Sequence, residues 1–173
     1  MTVTLPPNST APAPKLQPTG WLRYLSFSVD HKVIGLQYLV CGFVFYLIGG
    51  ALAGAIRTEL ASPVADFMAR DVYNQVLTLH GTVMIFLWIV PVVNGAFGNY
   101  LIPFYVGARD MAFPRLNAVA FWLIPPAGLM LVASYFITGA AQSGWTAYPP
   151  LSITTPATGQ IIWIISVLLL GGS

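Results

Sequence analysis

Charge is what this sequence most lacks. Of its 173 residues, seven are Lys or Arg and five are Asp or Glu, so charged side chains make up only 7% of the chain. An ordinary soluble domain carries roughly a quarter. So few charges cannot cover a water-facing surface, and hydrophobic residues fill 57% of the positions. Lipid is therefore the expected solvent. The net charge of +2 excludes both a basic nucleic-acid footprint and an acidic tail, so no nucleic-acid partner is expected. The single cysteine, Cys41, excludes an internal disulfide framework and a cysteine-built metal site. Inside an apolar run it reads as a small buried hydrophobe. The sequence also lacks the alternating ten-residue pattern of barrel strands. Since lipid leaves no backbone group unpaired, helices remain.

What is present is a series of long apolar runs. Residues 33–56, 72–108 and 116–140 contain no Asp, Glu, Lys or Arg, and each exceeds the about 20 residues that cross a bilayer. The spans are placed at 33–56, 73–105 and 116–140, with a partial fourth at 158–173. That last run reaches only about 24 Å at about 1.5 Å per residue, so it is either a re-entrant half-helix or, as expected here, a span that continues past Ser173. The fold expected is an all-α, polytopic transmembrane helix bundle. Residues 1–20, rich in Pro, Ser and Thr with Lys15 as their one charge, lack the apolar core of a signal peptide. They read as a disordered cytoplasmic tail, and residues 21–173 as the membrane domain.

The charges that do occur give an orientation. If the spans alternate, Lys15, Arg23, Lys32, Arg109 and Arg115 share one side. Arg57 and Arg70 lie opposite, diluted by Glu59, Asp66 and Asp71. The bias puts the N-terminus inside. Trp145 and Tyr148 in the outer connection fit an interfacial aromatic belt. Gly50 and Gly54, with Gly49 and Ala53 beside them, form a small-residue pattern for close helix approach, and Gly95 and Gly98 repeat it in the second span. Pro91 removes a backbone donor and predicts a kink.

Polar residues within or beside the spans are the candidates for chemistry, because lipid makes them costly. His80, near the outer side of the second span, is either a hydrogen-bonded interior histidine or an axial haem ligand. His31, between Asp30 and Lys32, reads as a solvated flank. Asp110 follows the second span on the inner face. It is either a loop carboxylate paired with Arg109 or Arg115, or the mouth of a proton path, with Asn99 and Asn117 forming a polar funnel beside it. Each Asn alone would serve as a helix-end cap. Arg57 and Glu59 end the first span as interface anchors, and Arg57 is also a candidate partner for a polar group on a bound cofactor.

Several motifs recur in one order. They are the stretch His80 to Phe86 with Pro91 after it, Phe97 to Pro103, Gly107 to Asn117, Phe121 to Pro126, and Gly144 to Leu151. The flank Asp30 to Gly35 and the turn Ile56 to Leu60 accompany them. Over residues 21–173 this series closely resembles subunit I of the haem-copper terminal oxidases, of the haem-A, cytochrome c-oxidising type.

The resemblance implies a subunit of about twelve spans, of which this chain carries the first three and part of a fourth. It implies that His80 is one axial ligand to the iron of a low-spin haem A, and that Arg57 hydrogen-bonds that haem's formyl group. Trp145 and Tyr148 would lie near the haem. Asp110 would be the mouth of the D proton channel, with Asn99, Asn117, Tyr38 and Ser173 along it. The second haem, the copper centre and the oxygen-reducing residues are expected only in the full-length subunit. No catalytic residue is therefore assigned here, and the chain alone is expected to be inactive. The partners implied are the remainder of subunit I, subunits II and III, and cytochrome c as electron donor through subunit II. The location implied is the bacterial cell membrane, with the thylakoid membrane as the alternative. A quinol oxidase of the same superfamily and a non-catalytic truncated membrane chain are the alternative readings.

Overall fold

The computed structural model describes residues 20–64, 67–137, 139–154 and 157–173. The expected tail lies outside them except for Gly20, which opens a short 3-10 helix, Gly20–Leu25. Gly20 thus belongs to the folded flank. Asp66, counted in the charge bias, also lies outside the described residues.

Among the described residues every regular element is helical. The first span is His31–Glu59. It begins where it does because Asp30 caps it, its Oδ1 accepting from the Lys32 N–H at 2.9 Å. The second span is one continuous helix, Arg70–Val106, ended by Gly107 in the left-handed conformation at φ 70°. The third, Pro114–Ile137, starts with the proline itself, whose missing N–H would have had no partner in the first turn. A four-residue helix, Leu151–Thr154, interrupts the connection to the last helix, Ala157–Gly171. Among the described residues, three helices are long and apolar enough to cross a membrane. The last has 15 residues and reaches about 22 Å, short of the hydrocarbon core.

The helices run antiparallel in sequence order. The first packs along the whole second span and also against the third, and the third packs against the last. Ile34, Val83, Leu87, Ala127 and Leu131 are fully enclosed at the centre. The close approach of the first two spans rests on Gly35, Gly42 and Gly49. Seven-residue steps keep these nearly on one face, two turns apart. A Cβ at Gly42 would lie 2.7 Å from Val92 Cγ2, and one at Gly49 2.5 Å from Met84 Sδ. The expected Gly50 and Gly54 pair does not do this: a Cβ on either meets nothing within 4 Å. They are exposed and lie off the face that meets the second span. Gly95 does serve close packing, lying under the Tyr38 ring, whereas a Cβ at Gly98 would make only ordinary contacts.

Pro91 shapes the second span by widening it. It stands at the head of one π-helical run, Pro91–Gly98, and just after another, Val83–Ile89. The Val90 N–H reaches back five residues to the Ile85 carbonyl. The irregularity expected as a kink takes the form of looser helical turns, which occur mostly at functional sites.

Candidate functional site at two ends of the bundle

At the Glu59 end, the half-buried His80 hydrogen-bonds the Gly49 carbonyl through Nδ1 at 3.0 Å. A carbonyl oxygen can only accept, so Nδ1 carries the proton. The other ring nitrogen, Nε2, is left with a free lone pair, which is the tautomer and orientation a metal ligand needs. Gly49 can present its carbonyl there because, lacking a Cβ, it lets the second span come close. The turn holding His80 is pinned by a polar seam. Thr82 Oγ1 accepts from the Trp163 indole at 2.9 Å, Thr78 Oγ1 accepts from the Gly144 N–H at 2.9 Å, and Gln75 Oε1 accepts from the Ala140 N–H at 3.2 Å. Thr78 and Thr82 are fully enclosed. Sequence reasoning missed this seam, although four polar residues at positions 74, 75, 78 and 82 of an apolar span were a readable signal.

Trp145 packs against Gly81, beside His80, where a Cβ would lie 3.1 Å from Trp145 Cδ1. Its ring also meets Phe86 edge-on, with centroids 6.2 Å apart. Tyr148 is 72% exposed and is not brought to His80. Arg57 is exposed and lies eight residues beyond Gly49, about 12 Å further along the first span. Glu59 is not a surface anchor. It is 6% exposed, and its Oε2 accepts from the Met68 N–H at 2.8 Å, tying down the loop that follows. Among the described residues no group of three or more His, Cys, Asp or Glu side chains is placed to hold a metal. His80 therefore offers a single ligand.

At the Asp110 end, Asn117 Nδ2 donates to Asn99 Oδ1, and Asn99 Nδ2 donates to the Gly95 carbonyl at 2.7 Å. Asn99, Asn117, Tyr38 and Ser173 all line one cavity of about 470 Å³. Four of the five residues assigned to a proton channel thus share one space. Asn94 lines it too and was missed by the sequence reading. Asp110 itself does not. Its neighbour Met111 does, and the Met111 N–H donates to Asp110 Oδ1 at 2.8 Å. Pairing of Asp110 with Arg109 or Arg115 is not seen; among the described residues the ion pair present joins Arg23 to Asp30 at 3.5 Å. His31 is not a solvated flank. It is 5% exposed, and its Nδ1 bonds the Asn99 carbonyl at 2.8 Å. The partner lies across the bundle, 68 residues away, which local sequence could not reveal.

The chain matches a family described as "Cytochrome C and Quinol oxidase polypeptide I" over residues 33–173. It is 61% identical over 153 residues to the cytochrome c oxidase subunit 1 of Thermostichus vulcanus, covering 88% of this chain and 28% of that protein. It is 58% identical over 166 residues to the subunit of the same name from Synechocystis sp., covering 96% and 29%. To that of Corynebacterium efficiens it is 42% identical over 160 residues, covering 87% and 27%. The chain spans less than a third of the length of these curated relatives. With most of its length matched, this chain belongs to the cytochrome c and quinol oxidase polypeptide I family.

Proposed function

We propose that this chain is part of the catalytic subunit of a cytochrome c oxidase, which reduces oxygen to water and moves protons across the membrane it spans. Its role there is to hold one side of the electron-receiving haem and to form the mouth of a proton path. The observation that carries this reading is the His80–Gly49 hydrogen bond, which leaves Nε2 free. A low-spin haem A fits such a donor. Bound there, it would pass electrons one at a time, and the remainder of the subunit would complete its binding site. The chain's own residues do the rest. The Gly49 carbonyl fixes the imidazole. Arg57, an exposed cation further along the first span, would hydrogen-bond the formyl group of that haem. Trp145 covers the helix beside His80.

The opposite end takes up protons. Asp110 collects them from water at the membrane surface, because a carboxylate there can bind and release a proton while an amide cannot. Asn99 and Asn117 then order water in the cavity that Tyr38 and Ser173 also line. Nineteen residues separate His80 from Asn99, or about 28 Å of helix, close to the thickness of the hydrocarbon core. The two functions thus sit on opposite faces of the membrane, with the Asp110 face and the N-terminus inside. The partners are the remainder of subunit I, subunits II and III, and cytochrome c as donor; the setting is the bacterial cell membrane or the thylakoid membrane. The test is His80→Ala in the full-length subunit. The expected result is loss of low-spin haem absorbance together with loss of oxygen consumption supported by reduced cytochrome c. An assembled variant retaining both would refute the assignment.

A further inference from the structure

The cavity at the Asp110 end contains an amide that the reading above does not use. Asn94 lies five residues before Asn99, inside the π-helical run Pro91–Gly98. In an α-helix a five-residue step turns a side chain by about 140° relative to its predecessor. Asn94 and Asn99 would then point to different sides. Asn94 is indeed exposed and Asn99 buried, yet both reach the wall of the same cavity, Asn94 about one turn further from the Asp110 end.

The Asn94 side chain has no hydrogen-bond partner among the described residues, whereas those of Asn99 and Asn117 are bonded to each other. Asn94 is exposed on this chain, and an amide at this depth of a span is costly against lipid or apolar neighbours unless something bonds it. The cavity supplies room and company for water. At about 30 Å³ per molecule, its about 470 Å³ holds several waters, and Tyr38, Asn99, Asn117 and Ser173 offer the further polar partners a water needs. We propose that Asn94 holds a water in this cavity and carries the proton path one turn beyond the Asn99–Asn117 pair. The proposal rests on the proton-uptake reading of Asp110. The amide itself is not titrated. Each water takes a proton from one neighbour and hands a different one to the next, and Asn94 orients the water that does so.

The test uses the assembled full-length oxidase, with Asp110→Asn measured beside the Asn94 variants. Asn94→Leu should lower steady-state turnover by about tenfold, and Asn94→Ser, which keeps a group that bonds water, should stay within about twofold of wild type. The rate at which the donor reduces the low-spin haem should be unchanged in both, which a general disturbance of the fold would not leave intact. Wild-type turnover in Asn94→Leu alongside a slowed Asp110→Asn would overturn the proposal and leave the Asp110 reading standing. Wild-type turnover in both variants would mean that the Asp110 reading had failed first, and the proposal with it. If Asn94→Leu does not assemble, Asn94→Ala is read the same way. Failure of both to assemble would assign Asn94 a structural partner elsewhere in the subunit and would overturn the proposal.

Discussion

Asn117, at the start of the third span, donates from Nδ2 to Oδ1 of Asn99, near the end of the second. The loop carrying Asp110 joins these two spans, and the amide pair closes it at its base. Asp110→Asn in the full-length oxidase should therefore leave the haem spectrum intact and slow turnover by about tenfold or more. Oxygen consumption and proton release from vesicles containing the oxidase would be measured together. A loop carboxylate without a proton role would be worth at most about 1 kcal/mol of stability, with both rates at their wild-type values.

The packing of the first two spans predicts opposite outcomes for two glycines. A methyl group at Gly95 collides with the Tyr38 ring, so Gly95→Ala should destabilise the chain in detergent by about 1–3 kcal/mol. A methyl at Gly50 meets nothing within 4 Å, and Gly50→Ala should stabilise its helix by about 0.5–1 kcal/mol. Thermal unfolding of the two variants checks the pair; equal shifts would contradict the face assigned to the seam.

That seam also shows where sequence stops being informative. The spans were legible because lipid demands long uncharged runs, and the structure keeps the three predicted helices to within a few residues at most ends. Which face each helix turns inward was not legible. Gly50 and Gly54 matched a packing pattern, yet Gly35, Gly42 and Gly49 do the packing, and only the neighbouring helix decides between them. The polar residues of the Asp110 end were found by type and by resemblance. The burial of His31 against Asn99 and the cavity position of Asn94 were not, since one depends on a contact across the bundle and the other on which residues of several helices meet at the cavity wall. Asp110 was expected as the mouth of the channel, and it adjoins the cavity through Met111, whose N–H it accepts.

Orientation is checked by labelling. In a Cys41→Ala background, a cysteine at Ala108 should react with an impermeant thiol reagent only from the cytoplasmic side, and one at Ser62 only from the other. Both positions are exposed. The charge bias of the connections gives this sign, and labelling of both from one side would rule out the antiparallel three-span topology.

Arg57→Met in the full-length oxidase should move the low-spin haem's visible band to the blue. A cation bonded to a conjugated formyl group draws electron density towards it and narrows the optical gap, and methionine cannot. A band at the wild-type position in an assembled variant would leave Arg57 as an interface anchor.

The central claim is that His80 Nε2 binds iron, and the midpoint potential of the low-spin haem in a full-length His80→Met variant tests it most directly. Replacing one of two axial histidines by methionine raises the potential of a low-spin haem. The account predicts a clear upward shift in a redox titration of that haem, in a preparation where Asp110→Asn leaves the potential where it was. A His80→Met oxidase that holds its low-spin haem stoichiometrically at the wild-type potential would contradict it.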